Sequence, residues 1–272
     1  MKILVIPDIH GRKFWRESVY NNLDKVEKVV FLGDYLDPYQ NEIDEHQELM
    51  ECNDFYDCYN LLNMLNDIVG LKKNEPDKYI LLTGNHTDSY IWSKFSAATR
   101  TDYRNWEKYH KFFSENLEYF NLVWIENDTI FSHAGISEGW AKTVSVKLSL
   151  TIDLNKPVKS VAKYLSRINL NSSLDKKLIE LLGDISHYRG GDMFYGSCEW
   201  ADLVEHIDHY QSEVQKKIVP LGEKEIYQVF GHTQLQKPLI TDKWACLDCR
   251  KAFIVDTDTF KVEAVDGSES SI

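Results

Sequence analysis

Five times along the chain a short apolar run stops at a small residue and hands over to His, Asp or Asn. Met1 to Gly11 reads MKILVIPDIHG and delivers Asp8 and His10. Val29 to Asp37 reads VVFLGDYLD and delivers Asp34. Tyr79 to Asp88 reads YILLTGNHTD and delivers Asn85 and His86, Thr129 to Ser137 reads TIFSHAGIS and delivers His133, and Tyr227 to Gln234 reads YQVFGHTQ and delivers His232. The runs are rich in β-branched and aromatic residues, the composition of buried strands. One strand ending in Gly-Asp is an ordinary turn; the recurrence is the constraint. In an α/β sheet ligands bind beyond the carboxyl ends of strands, so the pattern predicts that these polar residues share one crevice.

Between the strand signals the chain reads as helix. Phe14 to Asn22 is a short helix before a strand at Lys28–Leu32. Ile43 to Val69 places Met50, Tyr59, Leu62, Leu65 and Val69 at roughly helical spacing, a long crossover helix or pair leading to the strand Ile80–Leu82. Arg104 to Leu117 carries Trp106, Tyr109, Phe113 and Leu117 on one face as core packing, and Glu126-Asn127-Asp128 joins Leu122–Ile125 to Thr129–Ser132 as a hairpin. Trp140 to Ile185 lacks strand grammar. Pro157 opens one helix there, and Ser172 and Ser173 cap another that Gly183 ends. This predicts one domain over residues 1–272 with a helical insertion at about residues 140–186 that roofs the crevice. Strands return at Ala245–Leu247, Phe253–Val255 and Lys261–Val265, and Gly267 onward is a polar, frayed end.

Charge and cysteine content narrow the function. A net charge of −12 argues against broad nucleic-acid or anionic-membrane binding, and no run is long enough to cross a bilayer. The short apolar stretch before Asp8 falls below the core of a signal peptide. Five thinly spread cysteines are unlike a disulfide framework and predict a reducing cytoplasm. Cys246 and Cys249, without a second pair, read as buried small residues rather than a zinc knuckle.

The strand ends themselves carry metal chemistry. Asp8 and His10, one residue apart on extended backbone, would point the same way. Asp34 adds a carboxylate able to bridge two cations, Asn85 a neutral oxygen, and His133 and His232 nitrogens. Mixed nitrogen and oxygen donors suit Mn²⁺, with Fe or Zn²⁺ as alternatives, and suit Ca²⁺ poorly. For any one of these histidines a satisfied, partly buried imidazole is the simpler account; for all six residues together it fails.

DIHG (Asp8–Gly11), GDYLD (Gly33–Asp37), GNH (Gly84–His86), SHAG (Ser132–Gly135) and GHT (Gly231–Thr233) together resemble the calcineurin-like metallophosphoesterase superfamily. They are most similar to its Ser/Thr protein phosphatase branch and that branch's bacterial and phage relatives. The resemblance implies an α/β fold of two mixed β-sheets packed as a sandwich with helices outside, four layers in all. It implies two divalent metal ions, with Asp8 and His10 on the first, Asp34 bridging, and Asn85, His133 and His232 on the second. His86 would be the catalytic imidazole and Asp37 the acid that orients it. Two cations roughly 3.5–4 Å apart would clamp the phosphoryl oxygens and supply a hydroxide for in-line attack, and His86 would protonate the leaving alkoxide.

Two positions depart from the family pattern. Pro38 stands where the protein phosphatases carry an arginine, and Gln234 where many members carry a second histidine. Arg189, in YRGGDMFYGSCEWADL, either grips phosphate in place of the lost arginine or is a solvated arginine in a tight turn. Arg12 is a weaker candidate and is otherwise a surface residue. His206 and His209, at helical spacing near His187, read more simply as an exposed helix face than as a metal pair. The expected function is hydrolysis of phosphomonoesters in a phosphoprotein or a small phosphate ester, Ser/Thr protein phosphatase activity being the sharper form. The alternatives are a dinucleoside polyphosphate hydrolase or other small-molecule phosphatase, a nuclease, and a non-catalytic scaffold.

Overall fold

The computed structural model of the chain describes residues 1–172, 175–207 and 226–265. In chain order the elements begin β1 (Lys2–Ile6), α1 (Phe14–Asn22), β2 (Lys28–Phe31), α2 (Gln40–His46), α3 (Cys58–Asn74) and β3 (Tyr79–Leu82). There follow α4 (Asn85–Ile91), α5 (Trp106–Asn116), β4 (Phe120–Asn121), β5 (Val123–Glu126) and β6 (Thr129–Ser132). The chain continues through α6 (Glu138–Lys147), α7 (Pro157–Leu165), α8 (Lys176–Leu182), β7 (Tyr227–Phe230), β8 (Leu239–Ile240), β9 (Trp244–Cys246), β10 (Phe253–Asp256) and β11 (Lys261–Ala264).

The strands form a six-stranded sheet in the order β11-β10-β1-β2-β3-β4 and a five-stranded sheet in the order β5-β6-β7-β9-β8. In the first, β1, β2, β3 and β4 run parallel while β10 and β11 are antiparallel. In the second, β6, β7 and β9 are parallel and β5 and β8 antiparallel. Both sheets are therefore mixed.

Alternation along each strand makes the first sheet serve two interiors. Ile3 and Val5, Val30 and Leu32, and Ile80 and Leu82 meet Phe131, Tyr227, Val229 and Ala245 of the second sheet. The intervening residues Leu4, Ile6, Val29, Phe31 and Leu81 instead join Trp15 and Val19 of α1, Leu61, Met64, Leu65 and Ile68 of α3, and Phe113 of α5. Ile130 of β6 belongs with Trp140 and Val144 of α6 and Val161 of α7. The layers run helix, sheet, sheet, helix, the sandwich the sequence implied. Most of these strand side chains are fully buried, and each such burial contributes about 1.5–3 kcal/mol. The strand ends thus stand on a rigid platform.

Several local expectations are refined. The crossover between β2 and β3 is a pair, α2 and α3, separated by a 3₁₀ turn at Gln47–Leu49. Asp57 caps α3 by accepting from the Asn60 N–H, and the buried stripe that follows is Cys58, Leu61, Met64, Leu65, Ile68 and Val69. Tyr59, expected on that stripe, is one position out of frame and 76% exposed. In the β5–β6 hairpin Glu126 pairs with Thr129, leaving Asn127 and Asp128 as the turn; Asn127 takes a φ of 53°, a conformation asparagine tolerates. Pro157 does open α7. Asp175, not a serine, caps α8, and Gly183 ends it; Ser173 lies outside the described residues, as does everything from Gly267 onward. The five cysteines, Cys246 and Cys249 among them, are free and buried. Among the described residues no helix is long and apolar enough to cross a membrane.

Candidate metal centre and its imidazole–carboxylate pair

All five strands that carry the recurring pattern end on the same side of their sheets, because β1, β2 and β3 are mutually parallel and so are β6 and β7. The loops that follow are tightly built. His10, Asp34, Asp37 and His232 all have positive φ, at 44°, 46°, 59° and 65°. Such strained backbone concentrates at functional sites. It also corrects one expectation: Asp8 and His10 do not lie on extended backbone, since β1 stops at Ile6 and the chain turns to aim His10 inward. Glycines let the loops close on the carboxylates. A Cβ on Gly84 would sit 2.4 Å from Asp34 Oδ1, and one on Gly231 would sit 2.1 Å from Asp8 Oδ1.

The polar atoms meet. His133 Nε2 lies 3.3 Å from Asp34 Oδ2, 2.9 Å from Asn85 Oδ1 and 3.1 Å from His232 Nδ1, and His232 Nδ1 is 3.0 Å from Asn85 Oδ1. Across Asp34, His10 Nε2 is 3.8 Å from Oδ2. The Asp8 carboxylate accepts from the His232 main-chain N–H at 3.0 Å and 3.2 Å, and Asp34 Oδ1 accepts from the His86 main-chain N–H at 2.9 Å. Main-chain carbonyls fix two tautomers: His10 Nδ1–H donates to Leu36 at 2.7 Å and His133 Nδ1–H to Leu32 at 2.9 Å. Both Nε2 atoms therefore face the crevice.

Electrostatics separate these imidazoles. Burial, reinforced by His86, holds His10 well below the usual histidine range; burial with Arg189 nearby does the same to His232. Both are neutral donors. Burial also works against a charged His133, but Asp34 and Asp8, with the hydrogen bond to Asp34, outweigh it and push its pKa up to about 10. Burial would raise Asp34 too, yet the surrounding imidazoles keep it well below the ordinary carboxylate range. The pocket thus draws a positive charge to the point where Asp34, Asn85, His133 and His232 meet. His232 Nε2 is meanwhile buried without a hydrogen-bond partner among the described residues.

His86 stands beside this cluster, its ring 4.9 Å from that of His10. Its Nδ1–H donates to Asp37 Oδ2 at 2.6 Å. Asp37 is held in turn: the Tyr90 hydroxyl donates to Oδ1, and the Asp102 main-chain N–H donates to that hydroxyl at 2.8 Å.

The arginines fall differently. Arg12, expected at the surface or on substrate, is 2% exposed. Its Nε and Nη2 grip Glu42 at 2.7 Å and 3.0 Å, and Nη1 reaches the Asp8 and Ile9 carbonyls. Arg250 grips Glu42 from the other side. Arg12 is thus corrected from substrate binder to internal brace, because every nitrogen is engaged inside the fold. Arg12→Ala is expected to cost about 3–5 kcal/mol by breaking a buried ion pair and leaving Glu42 to Arg250 alone. Denaturant unfolding checks this, and a loss under about 1 kcal/mol would refute the brace. Arg189 lies at the opposite rim, paired with Asp202 at 2.6 Å and donating to the His232 carbonyl and Thr233 Oγ1.

Three buried acids were missed by sequence reasoning. Among the described residues Asp88 has both oxygens unpartnered, and its pKa is pushed well up by burial with Glu199 nearby. Glu199 accepts from Thr83 Oγ1 at 2.8 Å and is pushed by burial up to about 7. Asp248, beside Asp8, is also raised by burial. It follows β9 in the run WACLD, a sixth instance of the same strand-end grammar and the signal that marks it. Glu199 lies in the segment after α8, beyond the insertion expected at about residues 140–186, and it is that segment, with Arg189, that reaches the cluster. His206 is buried against the Ala134 carbonyl rather than exposed, His187 stacks on Tyr188 and Phe194, and His209 lies outside the described residues.

A mixed two-sheet sandwich with Asp, Asn and His gathered at parallel strand ends defines a hydrolase of the metallophosphoesterase kind. The family model for calcineurin-like phosphoesterases matches residues 1–234, and the chain belongs to that family. Among solved structures it is similar to a protein serine/threonine phosphatase from Saccharomyces cerevisiae with similarity to human phosphatase PP5. The identity is 16%, over 99% of this chain and 81% of that one, with a TM-score of 0.50. It is also similar to a metallophosphoesterase from Sphaerobacter thermophilus at 15% identity, over 56% of each chain, with a TM-score of 0.25. At 16% identity the likeness to the yeast phosphatase is one of fold. No curated protein matches the chain in sequence.

Proposed function

We propose that the chain is a dinuclear-metal phosphomonoesterase, acting on phosphorylated serine or threonine in proteins. The observation that carries this reading is the meeting of acceptors around His133. With Nδ1–H donated to Leu32, His133 Nε2 lies within 3.3 Å of Asp34 Oδ2 and 2.9 Å of Asn85 Oδ1, and the proton it holds there without metal marks the place a cation would take. Three acceptors at that range repel unless a cation or a proton lies among them. The donor set fits divalent ions, Mn²⁺ first with Fe or Zn²⁺ as alternatives. Asp8, His10 and Asp34 would hold one ion, and Asp34, Asn85, His133 and His232 the other. Bound there, the ions supply Lewis acidity toward phosphoryl oxygens and activate water for attack.

The chain's own residues do the rest. With a proton on each ring nitrogen, His86 is held by Asp37 through Nδ1–H, and its Nε2–H passes the second proton to the leaving oxygen as the P–O bond breaks. Tyr90 holds Asp37 so that the ring keeps this orientation. Arg189 contacts substrate from the His232 rim. Five free, buried cysteines support a reducing compartment, which we take to be the cytoplasm.

The test is turnover with Mn²⁺ on a phosphoserine peptide, an aryl phosphate and a dinucleoside tetraphosphate. The phosphopeptide and aryl phosphate are expected to be hydrolysed. Chelation should abolish this, and Mn²⁺ should restore it. Preferred cleavage of the tetraphosphate moves the reading to a small-molecule hydrolase. No turnover on any of the three, with metal bound, removes it.

A further inference from the structure

Near the cluster the guanidinium groups differ in what they are tied to. Arg12 is locked on Glu42 and Arg189 on Asp202. Arg100 has no carboxylate partner among the described residues. It is exposed, its guanidinium carbon lies over the Tyr39 ring at 3.7 Å from the centroid, and one nitrogen donates to the Asp37 carbonyl at 3.0 Å. Tyr39 in turn packs edge-on against His10, with 5.4 Å between ring centroids. Arg100 is thus fixed at two points, by a ring that touches a proposed metal ligand and by the main chain of the residue that orients His86. Its charge reaches inward as well, adding to the burial that lowers His10 and working against the burial that raises Asp37.

We propose that Arg100, shelved on Tyr39, binds the phosphoryl group of the substrate on the His10–His86 side of the crevice. The inference rests on the phosphomonoesterase reading and assigns a specific binding residue to it. A guanidinium carries five donors in a plane, and the carbonyl of Asp37 takes one. The others are available to phosphate oxygens, for which a fork of this geometry is well matched. Stacking on the aromatic face positions the fork without consuming its donors. Contact with Asp37 explains the placement. Asp37 precedes Pro38, which has no guanidinium to offer, and Arg100 arrives at the same point from the loop after α4. Arg189 stands at the His232 carbonyl and Arg100 at the Asp37 carbonyl, so the two arginines meet the cluster at different residues.

Inorganic phosphate, the reaction product, is the probe, added to the Mn²⁺-loaded protein and followed by calorimetry. Arg100→Gln is expected to weaken phosphate binding roughly 10–100-fold, the scale of hydrogen bonds to a charged group. Mn²⁺ affinity should stay within about threefold of the parent, and Arg100→Lys should recover part of the loss, since charge returns without the fork. With an aryl phosphate the loss should fall mainly on KM. Phosphate affinity in Arg100→Gln equal to the parent's overturns the proposal. A parallel fall in Mn²⁺ affinity also overturns it, because Arg100 would then be a support for the Asp37 loop. If the parent binds phosphate but hydrolyses no ester, the phosphomonoesterase reading fails while the assignment of Arg100 to phosphate remains measurable.

Discussion

Asp34→Asn is expected to lower Mn²⁺ affinity at both sites by at least about 100-fold, more than the 10–100-fold typical of losing an outer hydrogen-bond partner. One carboxylate faces His10 at 3.8 Å and His133 at 3.3 Å, so a single charge serves both halves of the cluster. Titration calorimetry reads the effect; loss at only one site would mean that Asp34 does not bridge. The substitution also changes the metal-free protein. His133 has its pKa raised to about 10 by Asp34 and Asp8 against the penalty of burial. A raised pKa contributes stability that is complete below the unfolded histidine value of about 6.5 and is lost as pH rises through the folded value. Metal-free parent protein should therefore lose stability between about pH 6.5 and 10, and Asp34→Asn should flatten that slope. Parallel stability curves for the two proteins would contradict the pairing.

His86→Asn is expected to leave Mn²⁺ bound and to cut turnover about 10²–10⁴-fold on a phosphoserine peptide, the range general acid catalysis supplies. An aryl phosphate, whose leaving group departs without a proton, should suffer far less. The contrast between substrates is the diagnostic. His86 is 9% exposed at its side chain and hydrogen-bonded at 2.6 Å to a carboxylate that is itself clamped by Tyr90. It is therefore placed to hold one ring orientation. Its ligand atom also lies within 4.8 Å of those of His10 and Asp34, so a variant that loses metal would reassign His86 as a ligand. Equal loss on both substrates, with metal retained, would remove it from proton transfer.

Much of this arrangement was legible in the chain. A buried strand must be apolar, and a strand feeding a crevice must end in something polar; both demands write themselves into consecutive residues, and Ile80-Leu81-Leu82-Thr83-Gly84-Asn85-His86 is one such sentence. What resisted reading lies where position depends on packing between distant segments. Arg12 reads as a surface residue after a turn, but Glu42, thirty positions on, draws it inside. Glu199 follows no strand; its place beside His133 and Asp34 is set by the loop after α8 reaching Thr83, 116 residues away. Arg100 carries no motif at all and becomes visible only through Tyr39 and the Asp37 carbonyl. Asp248 was the readable omission, since it ends β9 as Asp34 ends β2.

The most direct measurement is anomalous diffraction from crystals of the protein grown with Mn²⁺. Two peaks are predicted, one among Asp8, His10 and Asp34 and the other among Asp34, Asn85, His133 and His232. A single peak, or Mn²⁺ bound elsewhere with these side chains satisfied by water, would contradict the dinuclear site on which the proposed chemistry depends.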